Sequence, residues 1–245
     1  MINQHMQNLA ARFWEECGYE EPFPRSLECV ILRAKPSLAI ISLPRLSPAA
    51  VHALLARRGH VVALNTAERW LNGCFYACKD LSFIFVEESL SAEWRRAVIA
   101  HEFGHYLAHY ETPRRRVSRR LGPGILPIVD GERRATGAEE LSAGLAGLRI
   151  ESYVHFMDRN ADGTYVEPVS QAEREADDLG LELLAPWRAV FAAIRGNGRW
   201  PGVPADWERT LVSHFGFPHS LASYYGDRLL GSARGRLTFS QALGL

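Results

Sequence analysis

The run Ala97-Val98-Ile99-Ala100-His101-Glu102-Phe103-Gly104-His105-Tyr106-Leu107-Ala108-His109 contains the pattern H-E-x-x-H. Read as an amphipathic helix, it places residues four apart on one face, so His101 and His105 aim their imidazoles at one point. Zn²⁺ is the ion suited to that point. Glu102 projects from the edge of the histidine face, close to a water on the ion rather than to the ion itself. The chemistry is metal-assisted hydrolysis: the cation makes the water acidic, and the carboxylate takes its proton as it attacks a polarised carbonyl.

A catalytic zinc needs a third protein ligand and an open position. His109 lies about 12 Å along a helix from His101. It cannot share an ion bound at about 2 Å, and reads as a supporting or interface histidine. The metzincin pattern would require glycine at 108 and histidine at 111, where this chain has Ala108 and Glu111. The remaining candidate lies in Ser170-Gln171-Ala172-Glu173-Arg174-Glu175-Ala176-Asp177-Asp178-Leu179-Gly180. On a second helix, Glu173 would complete a His₂Glu site, and Asp177, one turn on, would accept the free N–H of a ligating histidine. Ala176 and Gly180 would let the two helices approach closely. Ser170-x-x-Glu173 also fits a capping box, in which Glu173 closes the helix and Glu175 becomes the next ligand candidate. Glu173 is preferred, because only it has an acid one turn downstream on its own face.

Taken together, A-H-E-x-G-H-Y-L and E-x-E-A-D-x-x-x-x-x-L-L-x-P resemble the ImmA/IrrE family of zinc metallopeptidases. Its second helix typically reads E-x-E-A-[N/D]-x-F-A-x-x-L-L-M-P. The likeness covers roughly residues 80 to 190. It implies zinc at His101, His105 and Glu173, Glu102 as general base, and a protein substrate such as a helix-turn-helix transcriptional repressor. Two features depart from the family. Gly180 and Leu181 replace the F-A region, as in the membrane-held HtpX-type peptidases, and the gap between the motifs is longer.

The elements that must position these residues follow from periodicity and punctuation. Residues 3 to 17 predict a helix with Met6, Leu9, Phe13 and Cys17 on one face, ended by Gly18. Strands are expected at 37–43, 61–64, 73–77 and 81–86, and a helix opens at Ser47-Pro48. The zinc helix starts near Ser91 and stops at Thr112-Pro113. Helices are also expected over 138–148, 187–194, 205–215 and 221–230. The fold class expected is α+β and zincin-like, with a small twisted sheet packed on the active-site helix and additional helices. We read 1–245 as a single metallopeptidase domain: an N-terminal helix and sheet lobe over 1–90, the zinc-site helices with an insert over 91–186, and a helical tail over 187–245.

Lys+Arg and Asp+Glu both total 28, so charge gives no reason to expect nucleic-acid binding. The basic run Arg114 to Arg120 reads as a solvated loop or helix face, with docking of an acidic partner as the functional alternative. No apolar run nears the roughly 20 residues of a membrane span, and no signal peptide is visible, so the expected location is cytoplasmic. Cys17, Cys29, Cys74 and Cys78 read as buried free thiols. The loop 158–163 opens like an EF-hand but lacks the acid at its twelfth position, and reads as a hairpin turn. Within the insert, His155 and Tyr153 are candidate transition-state donors. The reading is a zinc-dependent endopeptidase. Its rival is a non-catalytic zinc-binding regulatory module of the same fold, which would have no use for Glu102 as a base.

Overall fold

The computed structural model describes residues 3–18, 21–59, 69–78, 81–130, 132–145, 169–196 and 204–230. Helix α1 (Gln4–Cys17) is opened by the Asn3 side chain, which accepts from the His5 N–H, and closed by Gly18 at φ 73°. It buries Met6, Leu9, Phe13 and Trp14. After α2 (Leu27–Ala34), strand β1 (Leu38–Leu43) leads to α3 (Pro48–Arg57), capped by Ser47 with Pro48 in its first turn. Strands β2 (Gly73–Cys78) and β3 (Leu81–Glu87) complete a sheet of order β1-β3-β2. β1 runs parallel to β3, with Ile40 opposite Ile84. β2 runs antiparallel to it, with Phe75 opposite Ile84.

Central β3 is apolar from Phe83 to Val86 because both of its faces are covered. Alternation sends Ile84 and Val86 into the main core, and Phe83 and Phe85 into a second cluster with Val51 and Leu55 of α3. The sheet is thus a thin layer between α3 and the long helix that follows.

That helix, α4 (Ala92–His105), is capped by Ser91, whose hydroxyl accepts from the Trp94 N–H. The expected amphipathic pattern is not what the fold uses: every residue from Ala97 to His105 is buried. Strands β2 and β3 lie against one side of α4, α2 against another, and Phe13 of α1 meets Phe103 edge-on at 4.9 Å. A helix enclosed on all sides has no polar stripe to keep, so the only polar groups it carries inside are those of the site.

The stop expected at Thr112-Pro113 is also absent. The chain continues through a π-helical segment, Tyr106–Glu111, straight into α5 (Thr112–Leu121). The Thr112 N–H reaches back five residues to the Leu107 carbonyl. Pro113 therefore falls in the first turn of the new helix, where a missing N–H costs little. The segment is pinned by Glu111, which accepts from Lys35 Nζ at 2.7 Å and from the Tyr106 hydroxyl at 3.2 Å.

A 3₁₀ turn (Pro123–Ile125) and α6 (Leu126–Val129) follow, packed on Val117 of α5, and lead to α7 (Gly137–Leu145). Then come α8 (Val169–Leu184), α9 (Trp187–Gly196), α10 (Pro204–Ser213) and α11 (His219–Leu229). α8 lies along α4 and also packs on α1. The tail seals the far side of the core with Trp207, Leu211, Leu221 and Tyr225. Asp178 of α8 ties both ends of the chain together, pairing with Arg228 and accepting from the Asn3 N–H at 3.0 Å.

The Arg114–Arg120 run is helical, with Arg114 paired to Asp130 and Arg115 to Glu16 and Glu111. The expectation of uniformly buried thiols is corrected: Cys29 is exposed, and Cys17 and Cys74 are half-buried. Among the described residues, no helix is long and apolar enough to cross a membrane. The strand expected at 61–64 and the hairpin with its acidic loop at 149–166 lie outside the described residues.

Candidate metal centre

Helices α4 and α8 cross at glycine. A Cβ built on Gly104 would stand 2.7 Å from the Ala176 carbonyl oxygen, and one on Gly180 would stand 3.1 Å from the Ala100 carbonyl and the His101 nitrogen. Two glycines at the crossing let the backbones touch, which brings a side chain of α8 level with the histidines of α4.

That side chain is Glu173. His101 Nε2 lies 3.2 Å from His105 Nε2, Glu173 Oε2 lies 3.4 Å from His101 Nε2, and Glu173 Oε1 lies 3.5 Å from His105 Nε2. These donors form a buried group able to hold a metal ion. Donors about 2.0–2.1 Å from a tetrahedral zinc stand about 3.3–3.4 Å from one another, close to the separation of the two ring nitrogens and to the distance from each ring to its nearer Glu173 oxygen. Charge fits as well. Glu102, Glu173 and Asp177 are each buried to 3% exposure or less around the two imidazoles. Three enclosed carboxylates call for compensating positive charge.

The neighbouring groups divide the remaining work. Asp177 Oδ1 lies 3.0 Å from His101 Nδ1, on the side of the ring away from the donor triangle. Glu102 accepts a hydrogen bond from the Phe75 N–H of β2, and burial pushes its carboxyl up to about 7. Glu173 is also buried, which works against ionisation, but the His105 and His101 rings hold it well below the usual carboxylate range. Gly73 gives Glu102 its place, since a Cβ there would lie 2.4 Å from Val98 Cγ1 and 2.7 Å from Glu102 Oε1.

Glu173 therefore does not close a capping box. Helix α8 already includes Val169 and Ser170, so Glu173 sits inside it. Glu175 turns the other way, to His109 Nε2 at 3.0 Å, and that imidazole holds its carboxyl below the ordinary value. Glu111 faces Lys35 rather than the histidines. His155 and Tyr153 lie outside the described residues. The sequence reading missed Gly73, the pairing of Glu175 with His109, and Glu182, a buried acid that accepts from the Trp187 N–H and the Tyr225 hydroxyl. Only the unusual density of acids along α8 could have flagged the last two.

Residues 57–145 match a family model described as the IrrE N-terminal-like domain, a stretch that holds β2, β3, α4 and the H-E-x-x-H pattern but ends before α8. No curated protein and no solved structure matches the chain. A sheet laid on a buried H-E-x-x-H helix, with a His-His-Glu donor group beside it, is the arrangement expected of that family. Over residues 57–145 the chain is similar to the IrrE N-terminal-like domain, the family that its two motifs resemble.

Proposed function

We propose that the chain is a cytoplasmic zinc-dependent endopeptidase that acts on a regulatory protein. The observation that carries this is the buried group of two ring nitrogens and the two Glu173 oxygens, 3.2 to 3.5 Å apart, with a buried carboxylate on the residue after His101 in the same helix. His101, His105 and Glu173 would hold the ion. Bound there, zinc would supply Lewis acidity, polarising a substrate carbonyl and making water acidic near neutral pH.

Glu102 takes the proton of the attacking water on its carboxylate and hands it to the leaving amine nitrogen. The Phe75 N–H keeps that carboxylate aimed, and Asp177 keeps the His101 ring in place by accepting its Nδ1–H. Among the described residues β2 is an edge strand, and it lies against α4 at Glu102. An extended substrate adding to that edge would lay its backbone across the site. Donors to the developing oxyanion are assigned to His155 or Tyr153 on sequence alone. A helix-turn-helix repressor is the substrate class that the family resemblance suggests.

The test is Glu102→Gln in the full chain. The variant is expected to hold zinc as wild type does by elemental analysis and to lose cleavage of whatever protein it captures from the native cell. Glu173→Ala is expected to lose the zinc. A Glu102→Gln protein that cleaves at the wild-type rate refutes the assigned base.

A further inference from the structure

Beyond the donor triangle, a second line of groups leads outward from His105. His105 Nδ1 lies 3.2 Å from Nδ1 of His109, and His109 Nε2 lies 3.0 Å from Glu175 Oε2. The other carboxylate oxygen, Glu175 Oε1, accepts from Gln171 Nε2 at 2.6 Å. His109 sits in the π-helical segment, one turn past His105, with its ring tilted 47° to that of His105. Its side chain is 11% exposed and that of Glu175 26%. The line therefore runs from the enclosed site to the edge of the molecule.

Proton accounting allows one arrangement along it. An imidazole that presents its Nε2 lone pair to a cation keeps its proton on Nδ1. His105 Nδ1–H therefore donates to His109 Nδ1, which must be the bare nitrogen of that ring. The His109 proton is then on Nε2, where the Glu175 carboxylate accepts it. Every group is satisfied with both rings neutral, and the Gln171 amide fixes the carboxylate from its far side. His101 needs no such relay, because Asp177 meets its ring directly at 3.0 Å.

We infer that His109 and Glu175 are positioning residues for the metal ligand His105, acting as a two-step relay in which Glu175 sets the tautomer of His109 and His109 sets that of His105. This rests on reading His101, His105 and Glu173 as the zinc site. It goes further in assigning function to a partly exposed carboxylate that touches neither metal nor substrate. Supporting partners of metal-bound histidines commonly contribute about 10–100-fold to metal affinity. Glu175 acts here only through another side chain, so its effect belongs at the low end of that range.

The test is zinc affinity of the full chain by competition with a chromophoric chelator, for His109→Leu, His109→Gln, Glu175→Leu and the Leu/Leu double variant. Expected are a 10–100-fold loss for His109→Leu and a smaller loss for His109→Gln, whose amide oxygen can still accept. Glu175→Leu should cost up to about tenfold. In the His109→Leu background, Glu175→Leu should cost nothing more, because its path is already cut. Wild-type affinity in His109→Leu, or a full additional loss in the double variant, overturns the relay. Nitrogen-15 NMR of zinc-loaded wild type needs no variant: His105 protonated on Nδ1 and His109 on Nε2 support the relay, and the reverse tautomers overturn it. If wild type itself binds no zinc, the proposed function falls and the relay with it. If wild type binds zinc and the His109 variants bind it equally well, only the relay falls.

Discussion

The crossing of α4 and α8 at Gly104 can be perturbed by one methyl group, in Gly104→Ala. Helix propensity alone favours alanine in a helix interior by about 0.8–1 kcal/mol. Against this stands the packing: the new Cβ would lie 2.7 Å from the Ala176 carbonyl oxygen, 3.1 Å from its Cα and 3.3 Å from its carbonyl carbon. These are backbone atoms of a buried helix and have no rotamer in which to retreat. Reaching ordinary contact distance requires the helices to part by about 0.7 Å, and overpacking of this kind costs about 1–3 kcal/mol. Packing outweighs propensity, for an expected net destabilisation of about 1 kcal/mol. The larger effect falls on the site, because Glu173 rides on the displaced helix. A misplacement near 1 Å at such a centre commonly costs about 100-fold, so zinc affinity should fall on the order of 10–100-fold. The assay pairs thermal unfolding of the metal-free protein with chelator competition. Gly137→Ala in α7 serves as control, since a Cβ there meets nothing within 4 Å. Gly180→Ala, with its nearest contacts at 3.1 Å, should fall between the two. A Gly104→Ala protein that is more stable than wild type and binds zinc equally well would refute the claim that this crossing sets the donor triangle.

Two further outcomes follow from groups around the site and behind it. Gly73→Ala should lower kcat at least tenfold while leaving zinc content unchanged, because its methyl group displaces Glu102 and not a ligand; zinc loss in parallel with activity would contradict this. Glu182, 4% exposed, has its carboxyl raised from an ordinary value near 4.5 to about 7, chiefly by burial. It faces Tyr225, Asp178 and Arg188, and shares a cavity of about 480 Å³ with Arg25. Since the folded protein binds this proton more tightly than the unfolded chain, the associated stability is complete below pH 4.5 and lost as pH rises through 7. At about 1.4 kcal/mol per pH unit the ceiling is about 3 kcal/mol. Glu182→Gln should therefore flatten the fall in stability between pH 5 and 8, measured by urea unfolding of the metal-free protein. An unchanged difference between those two pH values would exclude Glu182 as its source.

The chain states its local chemistry openly. His101, Glu102 and His105 are read from one helix, and Glu173 with Asp177 from another, because a period of 3.6 residues places groups four apart on one face whatever surrounds them. Caps at Ser47 and Ser91 and the stop at Gly18 are legible for the same reason. Where α4 ends was misread. Pro113 breaks a helix only in an unshifted register, and the π segment before it is held by Lys35, distant in sequence. The amphipathic reading of α4 failed because burial on all sides depends on neighbours that the helix cannot specify alone.

What tertiary structure decided is which acids meet which rings. The sequence only favoured Glu173 over Glu175, and which of the two carboxylates faces the His101/His105 pair is set by the rotation of α8 about its axis. Close packing of Gly104 on Ala176 and of Gly180 on Ala100 fixes that rotation. The same contact sends Glu175 to His109 and Asp177 to His101. Helical periodicity is a property of neighbouring residues and can be read along the chain. The azimuth at which two helices pack is set by steric fit between distant surfaces, and exists only once they touch.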